Sequence, residues 1–223
     1  MTLNASDTGA NLIGPYGSWA AGLTETELPV LSFRRKDWKR IDTWKKAAKK
    51  RLAERLAIPD PGDNPHVVMI NEYTFDGLRI EELRWQLPWG RPTEAIVLKP
   101  ENSRGRLPGI LAFHDHGGNK YFGTRKITRT SNRQHPLMVR HQKEYYEGFA
   151  WANEIAKRGY VVLVSDAFPF ASRRVMMQDI PPAHRQGLSD DDPENPVNIE
   201  AYNRWASDHE HIMAKSLFSA GTT

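Results

Sequence analysis

LPGILAFHDHGG at residues 107–118, with GFAWANEIAKRG at 148–159 and YVVLVSD at 160–166, decides how this chain folds. The run Ile110-Leu111-Ala112-Phe113 is short, continuous and apolar, the pattern of a central strand covered on both faces. Residues 148–159 have helical spacing and stop at Gly159, a residue free to take the left-handed conformation that ends helices. Residues 160–166 read as a second apolar strand. Strand, helix, strand in this order implies a crossover between parallel neighbours.

Working outward, the preceding segments carry strand signals of another kind. HVVMINEY (66–73) is apolar and rich in β-branched residues, Asp76-Gly77 is a strong hairpin turn, and LRIEELRWQL (78–87) alternates imperfectly, as a half-buried antiparallel strand does. TEAIVLKP (93–100) is a third strand, stopped by Pro100. The chain therefore begins antiparallel and turns parallel, which places it in the α/β class. After a polar loop at 178–197, Ile199, Tyr202, Trp205, His209, Ile212, Met213, Leu217 and Ala220 mark one face of a helix over 198–220, with Gly221 as its stop. In a doubly wound sheet such a helix packs beside a following strand. None follows here, so the sheet is expected to be incomplete at its C-terminal side. The 223-residue chain is expected to be marginally stable, with an open sheet edge that self-associates or pairs with its missing C-terminal half.

Upstream, residues 1–32 read as an irregular arm. Residues 36–57 read as an amphipathic helix whose stripe, Trp38, Ile41, Trp44, Ala48, Leu52 and Leu56, docks on a core. Residues 34–55 hold eleven Lys or Arg against three Asp or Glu, within a chain of net charge +4. A solvated helix face accounts for this run better than nucleic acid or an anionic membrane, since no nucleic-acid module accompanies it. The domain division is 1–60, arm and basic helix, and 61–223, the α/β part. With no cysteine there is no disulfide, thiolate nucleophile or cysteine metal site. No run of 18 apolar residues is present, and MTLNASDTGANLIGPYGSW lacks a basic start followed by an apolar block. Neither a membrane span nor a secretory signal is expected, and the expected location is cytoplasmic.

Chemistry in such sheets sits at the carboxyl ends of the parallel strands. One strand end carries His114-Asp115-His116-Gly117-Gly118-Asn119 and the other Asp166-Ala167-Phe168-Pro169-Phe170. Paired glycines at a strand tip let the backbone turn sharply and aim N–H groups outward, where they can hold an oxyanion. The backbone of His116, Gly117 and Gly118 is the candidate, against the plainer reading of a glycine turn. His114 and His116, or His209 and His211, could ligate a metal. The glycines end the strand that would align the first pair, and residues two apart on a helix point about 200° apart, so no metal site is expected. No G-x-S-x-G occurs. Gly187-Leu188-Ser189-Asp190-Asp191 and Leu217-Phe218-Ser219-Ala220-Gly221 lack the strand–turn–helix setting of a nucleophile elbow. His209 is expected to bond the core or a loop. Asp166, close to Arg173 and Arg174, is expected in a structural ion pair.

Taken together, LPGILAFHDHGG, GFAWANEIAKRGYVVLVSDAFPFASRR (148–174) and HEHIMAKSLFSAG (209–221) resemble the α/β-hydrolase family of dienelactone-hydrolase-like and bacterial acetyl-xylan-esterase-like proteins. The resemblance spans about residues 66–221 and would make the chain the N-terminal half of that fold. It implies a carboxylic-ester hydrolase acting on a small-molecule ester, with no cofactor and with His114, Asp166 and Arg173 as structural residues near the site. It also implies that the Ser or Cys nucleophile, the acid and the catalytic His lie downstream of the last helix, so that none of the triad is carried here. A non-catalytic half-domain paired with a partner chain and, behind it, a His-dependent metallohydrolase are the alternatives.

Overall fold

The computed structural model describes residues 13–23, 27–56 and 58–221. The described residues divide into two compact units, one drawn from those up to Pro59 together with Gly221, the other Asp60–Ala220. In the first unit the arm is not wholly irregular: a 3-10 turn, Gly14–Tyr16, runs into a short helix α1, Gly17–Gly22. Residues 1–12 of the expected arm lie outside the described residues. The basic helix α2, Ile41–Leu56, starts later than the apolar spacing suggests, after a segment in which Arg35 bonds Asp37 and the Leu28 carbonyl. None of its residues is buried, so the stripe does not dock on a core along its length. Trp38 and Trp44 instead donate indole N–H bonds to the carbonyls of Val30 and Leu31, and Phe33 packs on Trp44 at 5.0 Å. The aromatic pair pins the arm rather than the helix.

The second unit holds a five-stranded sheet in the order β1-β2-β3-β5-β4, with β1 Val68–Phe75, β2 Leu78–Trp85, β3 Thr93–Pro100, β4 Gly109–Ala112 and β5 Val161–Ser165. The β1–β2 turn is set by Asp76 and Gly77, both at positive φ (54° and 76°), the backbone that matches the twist of a two-residue hairpin. Lys157 fixes the turn from outside through a 2.6 Å ion pair with Asp76. The pairings β1–β2, β2–β3 and β3–β5 are antiparallel and β4–β5 is parallel. Mixed α/β architecture is thus present, with one parallel pair where a doubly wound parallel sheet was expected.

Register explains which face is buried. Ile80 lies opposite Leu98, Leu98 opposite Val162, and Val162 opposite Ile110, so these four share one face by the two-residue period of strands. On that face Leu78, Ile80, Leu98, Val162 and Val164 are fully buried with Ala152 and Ala156 of helix α4, Trp151–Lys157. The opposite face carries Leu111, paired with Leu163. Leu111 is 57% exposed and Phe113 63% exposed. The expectation that 110–113 forms a central strand covered on both faces is therefore wrong. Among the described strands β4 lies at the sheet edge, and a continuous apolar run by itself does not say what covers it.

Two more helices frame the strand ends. Helix α3, Pro136–Tyr146, begins where the His135 ring accepts from the N–H of Leu137, and ends at Glu147 in the left-handed region. Helix α5, Pro196–Ser219, is capped by Asn195, whose side chain accepts from the N–H groups of Val197 and Asn198. Its first half is not left without a partner, as the sequence suggests. Ile199 packs with Phe122, Leu137 and Met138, while Tyr202, Trp205 and Ala206 pack around Met177. Val197 in its first turn and Ile212 and Phe218 toward its end face solvent. The open β4 edge has a measurable signature. Leu98→Ala should lower the unfolding free energy by about 2–5 kcal/mol through lost burial and a residual cavity. Leu111→Ala, two strands away and on the exposed side of the β4 edge, should stay within about 0.5 kcal/mol. Urea unfolding of the two variants checks this.

Candidate functional site

The turn after β4 is built around a buried ammonium. Lys126 has no exposed side-chain surface, and its Nζ donates to the carbonyl oxygens of Asp115 (3.0 Å) and His116 (2.9 Å). His114 adds a bond from Nδ1 to the same Asp115 carbonyl at 3.0 Å. In a trans peptide C=O and the following N–H point in opposite directions. Holding the carbonyls of 115 and 116 inward therefore turns the N–H groups of His116 and Gly117 away from Lys126. Neither N–H is hydrogen-bonded to another described residue, whereas Gly118 donates to the His116 Nδ1 at 3.3 Å. Of the three backbone donors expected from sequence, two are thus open and the third is engaged. Gly117, Gly118 and Asn119 line a cavity of about 370 Å³ with His141, Tyr145 and Asn203.

The glycines are required for different reasons. Both have positive φ, 44° and 63°. A Cβ at Gly117 would run into the Asp115 carboxylate and approach His141 Cε1 to 2.7 Å, whereas a Cβ at Gly118 meets nothing.

Asp115 supplies the countercharge. Its Oδ1 accepts from His141 Nε2 at 3.0 Å and from the Tyr146 hydroxyl, and its Oδ2 faces Lys126 Nζ at 3.8 Å. Burial opposes the charge on this carboxyl, but the bonds from His141 and Tyr146 and the charge of Lys126 outweigh it and hold Asp115 well below the usual carboxylate range. Burial, reinforced by Asp115, pushes the Tyr146 phenol up. Burial pushes Lys126 down to about 8, against the pull of Asp115. A second buried ammonium, Lys120, is 1% exposed and bonds Glu210 of α5 at 2.9 Å, and Glu210 also accepts from His116 Nε2 at 2.9 Å. Burial favours a neutral Glu210, yet the bonds from Lys120 and His116 lower its carboxyl. One helix repeat earlier, Asn203 accepts from the N–H of Tyr121 and donates to the Asn119 side chain. Asn203 and Glu210, seven residues apart, thus form a polar stripe that grips residues 116–121.

The structure disperses the other sequence candidates. His114 Nε2 accepts from the N–H of Ala167 at 3.2 Å, which ties the two strand ends together, and burial pushes its imidazole down. His209 stacks on Trp205 at 4.4 Å and bonds its carbonyl. His211 is exposed. Among the described residues no three His, Asp or Glu side chains converge as a metal site. Asp166 is not in the expected ion pair with Arg173 or Arg174. Its two oxygens accept the backbone N–H groups of Thr124 (2.8 Å) and Ser172 (3.1 Å), and burial pushes its carboxyl up. Gly123 permits that approach, since a Cβ there would collide with Asp166. Arg173 lies over the Trp89 ring at 5.4 Å and Arg174 over Tyr121 at 4.3 Å. Sequence reading missed Lys120, Lys126, His141 and Tyr146. A usable signal for the last two was the His135-Pro136 start and Glu147-Gly148 stop of α3.

No protein-family model and no curated protein matches this chain. Among solved structures, the crystal structure of a "putative acetyl xylan esterase" from Bacteroides fragilis matches with a TM-score of 0.61 and 20% sequence identity. The likeness is one of fold. It covers 97% of this chain and 47% of that one, so the chain spans about half the length of the esterase structure. No described helix is long and apolar enough to cross a membrane.

Two outcomes follow from the packed turn. Gly117→Ala should destabilise the protein by more than the ~1–2 kcal/mol that left-handed backbone costs an L-residue, and Gly118→Ala by no more than that; thermal melts of both variants check the order. For Lys126, the unfolded side chain titrates near 10.5 and the folded one near 8. Between these values the unfolded chain binds more protons, so this residue makes stability rise with pH through that window. The cost of the buried charge is fully present below pH ~8 by the same linkage. Lys126→Met should remove that rise, seen as a flatter stability curve in urea titrations from pH 7 to 10.

Proposed function

We propose that this chain is the oxyanion-binding part of a carboxylic-ester hydrolase. The observation that carries the reading is the pair of peptides whose carbonyls Lys126 holds inward, leaving the N–H groups of His116 and Gly117 open at the tip of a strand. During acyl transfer the carbonyl oxygen of an ester gains negative charge, and two N–H donors fixed in advance stabilise it without having to reorganise. In enzymes of this kind, loss of one such donor lowers kcat by roughly 10²–10³-fold. The esterase-like fold neighbour supports a small-molecule ester as substrate. The attacking Ser or Cys, its acid and its His are assigned to polypeptide outside these 223 residues. Attack forms the tetrahedral intermediate, the alcohol leaves, and water then releases the acid from the acyl-enzyme. The Asp115–His141 pair is not cast as part of a triad: among the described residues no Ser or Thr hydroxyl bonds His141, and Asp115 already serves Tyr146 and Lys126.

A second reading is favoured by the open face at Leu111 and Phe113. In it the chain is a non-catalytic half-domain whose β4 edge pairs with a partner chain or a second copy. Titration of the ¹⁵N-labelled chain with methylphosphonate, a tetrahedral oxyanion, separates the two. The first reading expects the largest amide shifts at His116 and Gly117; shifts centred elsewhere overturn it. The chain alone should hydrolyse an aryl acetate no faster than buffer, and a burst of released phenol would overturn the assignment of the nucleophile to other polypeptide.

A further inference from the structure

A second cavity, of about 440 Å³, lies between β2, β3 and the loops that follow β5, and shares no lining residue with the cavity at Gly117. Four arginines, Arg84, Arg91, Arg125 and Arg174, line it, with three carboxylates, Glu94, Asp166 and Glu194. Two of the arginines are neutralised in place. Arg84 pairs with Glu94 at 2.7 Å, and Arg125 meets Glu194 at two points, 2.9 and 3.2 Å. Arg91 and Arg174 have no carboxylate oxygen within 4.0 Å among the described residues. Arg91 reaches the Ser172 carbonyl at 3.4 Å through Nε, which leaves its two terminal nitrogens to the cavity. Arg174 donates from Nη1 to the Ala171 carbonyl at 3.2 Å and stacks over Tyr121, while its Nε is buried without a hydrogen-bond partner. A buried donor left unsatisfied is unfavourable and marks a place where a ligand acceptor would be stabilising. Asp166 does not fill that role: its oxygens accept from the backbone N–H groups of Thr124 and Ser172, and neither lies within 4.0 Å of an Arg174 nitrogen.

We propose that this cavity binds a small organic monocarboxylate, its carboxylate gripped by Arg91 and Arg174 and its body against Tyr121 and Phe122. Guanidinium groups match the two oxygens of a carboxylate with paired N–H donors. Glu94 and Glu194 are already paired with Arg84 and Arg125, so Arg91 and Arg174 leave the cavity with an excess of positive charge that an anion would offset. A planar carboxylate fits the two guanidinium forks better than a tetrahedral anion beside the acidic side chains. A volume of this size suits a ring-bearing acid. The site stands on residues other than the oxyanion turn, so it holds whether or not the chain is part of an esterase.

Titration of the 223-residue chain with sodium benzoate, at ionic strength held constant with chloride, tests the assignment. Saturable binding that shifts the Arg174 Nε–H resonance is expected. Arg91→Gln and Arg174→Gln should each weaken binding by about tenfold or more, the scale of one lost charge-assisted bond. Arg91→Lys should weaken it too, since it keeps the charge and loses the fork, and Arg104→Gln, on an exposed turn, should change nothing. Arg91 is exposed, so its variants keep the test sound if Arg174→Gln does not fold. Absence of saturable benzoate binding, binding indifferent to the Arg91 variants, or tighter binding of inorganic phosphate than of benzoate would each overturn the proposal.

Discussion

The ammonium of Lys126, sealed from solvent beneath the turn at 115–118, is the constraint around which the strand tips are arranged. A buried charge is tolerable only when it is paired and its hydrogen bonds are satisfied. Here two carbonyls, the Asp115 carboxylate and the face of Phe170 at 4.4 Å surround it. Because peptides are planar, satisfying Lys126 also sets the direction of two N–H groups. The geometry of the turn is thus a by-product of solvating a cation with protein.

That solvation draws in elements far apart in sequence. Asp115 is steadied by His141 and Tyr146 of α3. Lys120, buried beside the same Phe170 ring, brings in Glu210 of α5. Removing one partner of such a buried pair leaves a charge uncompensated, a loss on the order of 3–5 kcal/mol. The helices therefore do more than cover apolar surface: their polar residues fix the turn, and the turn fixes where they dock. The sheet below contributes position rather than polarity. One face is sealed by α4, and the other presents Leu111 and Phe113 to solvent at the β4 edge.

Much of the fold was legible in the sequence. The three antiparallel strands, the Asp76-Gly77 hairpin, the parallel pair and the long last helix were all visible, because each rests on local periodicity or turn chemistry. What failed were inferences about coverage. Ile110–Phe113 has the composition of a doubly covered strand, yet alternate residues meet α4 and solvent. The apolar face of α5 reads as needing a strand, and instead Ile199, Tyr202 and Trp205 pack on Phe122 and Met177, in segments with no period of their own. The glycine turn of the candidate site was also legible, since paired glycines after a strand announce a sharp bend. Its supports were not: Lys126 and Tyr146 stand 11 and 31 residues from Asp115, and nothing in their local pattern separates them from surface residues.

Asp166 shows the division most plainly. Proximity in sequence to Arg173 and Arg174 suggested an ion pair, but the chain bends so that Thr124 and Ser172 offer backbone N–H groups first, and the arginines turn to Trp89 and Tyr121. By itself the sequence determined the five strands, the basic helix, the helix before β5 and the last helix, the hairpin turn, and that a glycine-rich bend follows β4, since those properties come from steric preference and apolar spacing within a few residues; α3, whose His141 and Tyr146 brace the turn, was not among them. Only the tertiary structure decided which charges are buried together, which N–H groups are left open and that β4 presents Leu111 to solvent. Desolvation and hydrogen-bond satisfaction depend on every group that surrounds a site, and those groups come from distant parts of the chain.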